Sequence, residues 1–381
     1  MTTSVLIVGA GIGGLTLAHA LQQRGISFRV IEKARDLRAV GAGISLGINA
    51  MNVLDGLGVG TRVRTRGEVL RGGSITDERG RPLQTLDFAP FAHYGSAVAL
   101  HRADLQAALI EGVSDHVQLG TTVQSLNQGD GQVTVHFSDG REEEYGVVVA
   151  ADGLHSAVRT EVFGPQPLRY AGYTSWRFVV PRSGGDLQPT ELWGRGRRLG
   201  LVPIGGGQVY GFATLNAREG ASDPVAGRAR RLRERFANFG GAAPAVLAQL
   251  PEDEAIIHTD IREVVLPRWV RGRVTLLGDA AHGMTPNLGQ GAGMSIEDAA
   301  VLAEVLGLGA EVQTALTVYE ARRKGRVSEI QKQSRWLGRA GQVQVSVLVA
   351  LRNAVLRATP RQVAQRNLGK VLTGDAVVQL R

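Results

Sequence analysis

Short apolar runs recur along the chain at Val5–Val8, Val147–Ala150 and 273–277, with the mixed run Phe28–Glu32 between the first two. Runs of this length, bounded by turn residues, predict strands of a buried, largely parallel sheet. After the first run, Leu15, Ala18 and Leu21 repeat at helical spacing until Arg24-Gly25 ends the helix. After the last, a glycine-rich loop over 286–293 leads into a helix expected to start near Met294. Residues 166–267 follow another rule, alternating apolar and polar positions between Gly and Pro turns, which predicts sheet. There 176–180 reads as extended, and 198–203 with 208–212 as a hairpin around Gly205-Gly206-Gly207. Near the C-terminus, Val343, Val345, Val347, Leu348, Leu351, Val355 and Leu356 predict a helix packed on the body of the molecule.

Composition adds limits. The 381 residues are ordinary for globular protein at 43% hydrophobic and 20% charged. There is no cysteine, so any redox chemistry must come from a bound cofactor. The eight histidines lack ligand spacing, and no metal is expected. The first strand begins close to the N-terminus and no apolar run reaches membrane-spanning length, so the expected location is cytoplasmic. The net charge of +8 is lopsided, because residues 321–381 hold thirteen Lys or Arg against Glu329 and Asp375. The apolar residues interleaved there argue against a nucleic-acid tail and favour a helical layer with a basic outer face. Peripheral membrane contact through this region is the less favoured alternative.

The strand Val5–Val8 runs straight into Gly9-x-Gly11-x-x-Gly14, with Ile12 and Gly13 in the turn. The first glycine permits the turn, the second admits a pyrophosphate to the backbone, and the third lets helix and strand pack closely. The helix start then offers free N–H groups and a partial positive charge to phosphate. Glu32, 18 residues beyond Gly14 and followed by Lys33, is placed to accept hydrogen bonds from ribose hydroxyls. An acid there repels a 2′-phosphate, which leaves FAD or NAD as the nucleotide. Two further phrases, Asp152-Gly153 and Gly278-Asp279 ahead of the loop Pro286-Asn287-Leu288-Gly289-Gln290-Gly291-Ala292-Gly293, decide for a flavin. Asp279 is expected to meet a ribityl hydroxyl, and the loop N–H groups to face the flavin ring.

These three phrases, in this order, resemble the class A flavoprotein monooxygenases, the aromatic hydroxylase family that includes salicylate and 4-hydroxybenzoate hydroxylases. The resemblance covers essentially the whole chain. It implies an α/β fold: a Rossmann-like FAD-binding domain from 1–70, 100–165 and 268–325, an inserted mixed β-sheet substrate domain from 71–99 and 166–267, and C-terminal helices over 326–381. It implies noncovalent FAD, transient NAD(P)H, and O₂ activation through a flavin 4a-hydroperoxide to hydroxylate an aromatic or similarly electron-rich small molecule. It places Arg102 near the FAD phosphates, the segment bearing Gly43 and Ile44 beside the ring, and Asp152-Gly153 at both FAD and NAD(P)H. Without a second Gly-x-Gly-x-x-Gly, the pyridine nucleotide is expected to visit a surface groove.

For the substrate, Arg198 and Tyr210 lie across the expected hairpin and are the candidates to hold an anionic group and a hydroxyl, with Trp176 or Phe212 pointing the same way. Pro286 and Asn287 complete the candidate catalytic set. His282 belongs to the cofactor phrase and is read as structural. The urate-hydroxylating branch of the family carries an acid where this chain has Asn287, which disfavours urate, since an amide is no general base. A related flavin epoxidase, reductase or halogenase, or a non-catalytic FAD-binding sensor, stays open, as does the oligomeric state.

Overall fold

The computed structural model describes residues 4–37, 42–129, 131–183, 185 and 187–372. Its centre is a six-stranded sheet in which Val117–Leu119, Phe28–Glu32, Val5–Val8, Val147–Ala150 and Val274–Leu276 run parallel in that spatial order, closed by an antiparallel Val270–Arg271 edge. Val5, Leu6, Ile7, Val147, Val148 and Val149 are fully buried, as strands covered on both faces require. The helices Ile12–Gln23 and Gly291–Gly307 pack on each other against this sheet.

A seven-stranded sheet forms the second body, in the order Ile257–Glu263, Arg169–Pro181, Gln208–Asn216, Arg197–Ile204, Thr190–Trp193, Gly72–Asp77, Pro82–Asp87. The expected hairpin is present, with Val202 opposite Tyr210 and Arg198 opposite Thr214. One face of this sheet packs Trp176, Phe178, Leu199 and Leu201 against Leu232, Phe236, Val246 and Leu247 of two short helices. The other face carries Val179, Val202 and Tyr210 toward a small sheet made of Gly43–Leu46, Ala97–His101 and Glu68–Leu70.

Several expectations are corrected. Trp176 pairs with Ala213, not with Tyr210 or Phe212, so it points away from the Tyr210 face. The helix expected near Met294 already starts at Gly291, because Met294 N donates to Gln290 O at 2.8 Å and closes the first turn there. One helix runs unbroken from Val312 to Gly341, across position 326. Nor does most of the apolar set of the last segment pack on the body, although Leu356 does. In the helix Ser346–Ala358 it is Arg352 that is buried, while Val347, Leu348, Leu351 and Val355 face solvent. No described helix is long and apolar enough to cross a membrane.

Candidate active site

The three sequence phrases follow three adjacent parallel strands and meet along one edge of the sheet. Ala151 N donates to Val8 O at 2.8 Å, and Leu277 N to Ala150 O at 2.9 Å. Arg159, which the sequence reading missed, ties two of the phrases together by donating to Ala280 O at 2.9 Å and Leu154 O at 2.7 Å. The spacing Ser156-x-x-Arg159 carried the signal: Ser156 caps the helix Ala157–Phe163 by accepting from Arg159 N at 2.9 Å.

Around the first phrase the glycines fall into two kinds. A Cβ on Gly14 would stand 2.0 Å from Gly9 O, and one on Gly13 2.5 Å from a Leu277 methyl, so both are packing positions. A Cβ on Gly11 would meet nothing within 4 Å. That open space lies at the start of the Ile12–Gln23 helix, whose first N–H groups have no side-chain cap. Bare N–H groups beside room for a ligand are what a pyrophosphate needs, and on this observation the site fits FAD. Glu32 sits beside this space, accepting from Ala10 N and Ala34 N at 3.0 Å each, while Lys33 is exposed next to it. Gln106 steadies the turn by donating to Ala10 O at 3.1 Å, and Arg102 opens the same helix, exposed and capped by His101.

Asp279 opens the Asp279–His282 helix beside Gly278, whose own Cβ would clash with Ser295 Oγ. The surrounding protein raises its carboxyl pKa, against the pull of His282 and Arg102. Its side remains open to solvent, which limits that rise. Asp152 behaves otherwise. One of its oxygens accepts from Val158 N at 3.2 Å and the other is buried without a partner, so its carboxyl turns toward the Ala157–Phe163 helix. Burial raises its pKa, against hydrogen bonds from Ser156 and Val158. Gly153 follows in a left-handed conformation.

The expected flavin-side loop is a single turn, Pro286–Leu288, then Gly289 and Gln290, and then the uncapped start of the Gly291–Gly307 helix with Ala292 in its first turn. Gln290 Oε1 accepts from Asn49 at 3.0 Å, and Asn49 also donates to Glu297 at 2.7 Å. Glu297 pairs with Arg323 at 2.7 Å and Arg326 at 2.9 Å, and Asp298 with Arg323 at 2.7 Å and His282 at 2.5 Å. Burial works to raise both carboxyls, but these partners outweigh it and hold them below the usual range. His282 is thereby a buried partner of Asp298. Ile44 lies half-buried on the strand beside this loop, and Gly43 beside it is needed for space: its Cβ would meet Tyr210 Cβ at 2.3 Å.

Arg198 and Tyr210 share a face of the seven-stranded sheet, but at different depths. Arg198 is 2% exposed, donating to Glu191 Oε1 at 2.9 Å and Asn287 Oδ1 at 2.7 Å, with Tyr173 beneath it. Tyr173 donates to the same Asn287 oxygen at 3.1 Å, and Asn287 Nδ2 donates to Ser334 O at 2.8 Å. Arg198 Nε alone is left without a partner. Tyr210 is half-buried beside Phe212, and its hydroxyl is pushed up to about 12 by burial despite nearby Arg177. Arg177, on the same face, donates to Thr259 at 2.9 Å and leaves its own Nε unpartnered; the sequence reading did not single it out. Past Asn287 and Tyr173 opens a cleft of about 650 Å³ that also touches Asn216, Gly338 and Gln342.

Residues 2–334 match the family model described as the FAD binding domain. The chain is 41% identical over 93% of its length to an aurachin C monooxygenase/isomerase of Stigmatella aurantiaca, covering 94% of that protein. It is 36% identical over 97% of its length to a 2-heptyl-3-hydroxy-4(1H)-quinolone synthase of Pseudomonas aeruginosa, covering 98% of it. The chain belongs to the class A flavin-dependent aromatic monooxygenases. Among solved members, Klebsiella pneumoniae HpxO complexed with FAD and uric acid superposes with a TM-score of 0.91 at 31% identity, over 97% of each chain. The protein is thus an FAD-dependent monooxygenase of aromatic substrates, with the fold that its sequence pattern predicted.

Proposed function

We propose that this monooxygenase hydroxylates a neutral, alkyl-bearing quinolone-type ring, using O₂ and transiently bound NAD(P)H. The observation that carries this reading is the neutralised state of Arg198. Its charge is met by Glu191, and a second edge is occupied by Asn287. What remains unpartnered is one buried Nε–H, so Arg198 has no free pair of donors to offer a carboxylate. Asn287 accepts from two donors and cannot take a proton, which sets this site apart from one built around an acid. Tyr210 keeps its proton at physiological pH and can donate to an oxygen of the ring, and half-buried Val179 and Val202 beside it offer apolar surface to an alkyl group. Quinolone chemistry also appears in the name of the Pseudomonas relative.

The bound cofactor supplies hydride acceptance and oxygen activation, for which the chain has no side chain of its own. In this reading Gly11 and the first N–H groups of the Ile12–Gln23 helix hold the pyrophosphate, with Glu32, Arg102 and Asp279 along its length. The uncapped N–H groups from Gly291 onward steady negative charge on the ring. The test is NAD(P)H oxidation by the purified enzyme with a 2-alkyl-4-quinolone, salicylate, 3-hydroxybenzoate or urate, with product mass measured. Stimulation by the quinolone with gain of one oxygen is expected; preference for a carboxylate would overturn the reading.

A further inference from the structure

The helix Ser346–Ala358 is amphipathic the wrong way round for a helix lying on water. Its inner side carries a charge: Arg352 donates to Gly341 O at 3.1 Å and lies 5.3 Å over the Trp193 ring. At 3.6 residues per turn, Val347, Leu348, Leu351, Ala354 and Val355 form one continuous outer arc. All are exposed, Val347 at 76% and Leu351 at 59%. Trp336 is 73% exposed on the preceding helix, next to Leu337, which packs in the same small cluster as Leu356. An exposed arc of this kind on a monomer marks a contact surface.

The surrounding charge selects what covers it. Residues 330–372 contain eight Lys or Arg and no Asp or Glu. Of these, Lys332, Arg339, Arg361, Arg366 and Lys370 are exposed. A second copy of the chain would set this basic rim against itself. A protein groove would be expected to meet aromatic anchors near its centre, whereas this arc is Val, Leu and Ala. We infer that this face seats the enzyme on an anionic lipid bilayer, with the helix in the plane of the interface. The aliphatic arc enters the acyl boundary, Trp336 sits at headgroup level, and the lysines and arginines meet lipid phosphates. The contact is peripheral, since the helix spans about 20 Å and is too short to cross.

The experiment is flotation of the FAD-loaded full chain with vesicles of phosphatidylcholine alone or mixed with phosphatidylglycerol. Binding to the mixed vesicles is expected, weakened by salt and absent on phosphatidylcholine alone. The triple variant Leu348→Ser/Leu351→Ser/Val355→Ser should lower the bound fraction by roughly tenfold or more while keeping FAD content and melting temperature. Arg361→Glu/Arg366→Glu should weaken binding while leaving the apolar arc intact. Failure of the wild type to float with phosphatidylglycerol overturns the inference, as does wild-type binding by both variants. A dimer that the triple variant dissolves, with no vesicle binding, would give the face to a second copy instead.

Discussion

Arg198 and Asn287, 89 residues apart in sequence, meet at 2.7 Å between the guanidinium and the amide oxygen. Glu191 holds the other side of Arg198 and Tyr173 shares the Asn287 oxygen, so strands of the seven-stranded sheet converge on the Pro286–Leu288 turn. Arg198→Ala leaves both Glu191 and Asn287 short of a donor. Its turnover number should fall by about tenfold or more, with FAD content kept, since a lost charged hydrogen bond costs about 1.5–3 kcal/mol. Arg198→Lys should recover only part, because an ammonium cannot span both partners as the planar fork does. Steady-state kinetics beside flavin absorbance would check this; full activity in Arg198→Ala would remove the residue from the site.

Tyr210→Phe keeps the ring that covers Gly43 and removes the hydroxyl alone. The fold and FAD content should be unchanged, while an unanchored substrate lets more reducing equivalents end as hydrogen peroxide. The ratio of product formed to NAD(P)H consumed is the measurement, and a ratio equal to wild type would place the substrate elsewhere on the sheet.

The glycines of the first phrase should separate folding from binding. Gly11→Val points into open space, so the apo protein should melt as wild type does while FAD affinity drops by about tenfold or more, as expected when a pyrophosphate loses its approach to the backbone. Gly14→Ala places a methyl against Gly9 O and should cost the fold itself. Thermal unfolding of apo and FAD-loaded samples distinguishes the two.

The buried acids predict an acid limit. Glu297 and Asp298 ionise more readily in the folded state than unfolded, since Arg323, Arg326 and His282 outweigh their desolvation. Their contribution is present in full above the unfolded carboxyl range near pH 4 and is lost as pH falls below it toward their folded values. Melting temperature should therefore fall below about pH 4, and less steeply in Asp298→Asn, which starts from a lower value. Parallel slopes in the two proteins would assign the acid limit to other groups.

The cofactor half of the molecule was legible because its requirements are local. A buried strand, a turn that only glycine can make and a helix start follow one another within Val5–Leu15, and the same logic repeats at Val147 and Val274. The substrate half was legible only as strands. Which face Trp176 takes depends on its pairing with Ala213, a register set by residues 37 positions away that alternation alone does not reveal. Arg198 and Asn287 were both candidates, but that they meet, with Glu191 as the third partner, depends on another strand and a distant loop and could not be read from spacing. The outward set of the Ser346–Ala358 helix was misread because apolar content was taken to mean burial, while Arg352 occupied the inner side.

The helix Val312–Gly341 ties the Gly291–Gly307 helix to the Pro286–Leu288 turn and to Arg198. Arg323 and Arg326 grip the acids Glu297 and Asp298 of the Gly291–Gly307 helix, Ser334 holds Thr285 and Asn287, and Gly338 and Gly341 leave room for Asn287 and Arg198. Over 30 residues it is a bar of about 45 Å. It works as a caliper: the distance between its contacts with Glu297 and Asp298 and its contacts with Asn287 and Arg198 is set by a rigid length, not by loops. A single residue inserted between Arg326 and Ser334 would turn the far half by about 100° and break all the later contacts together.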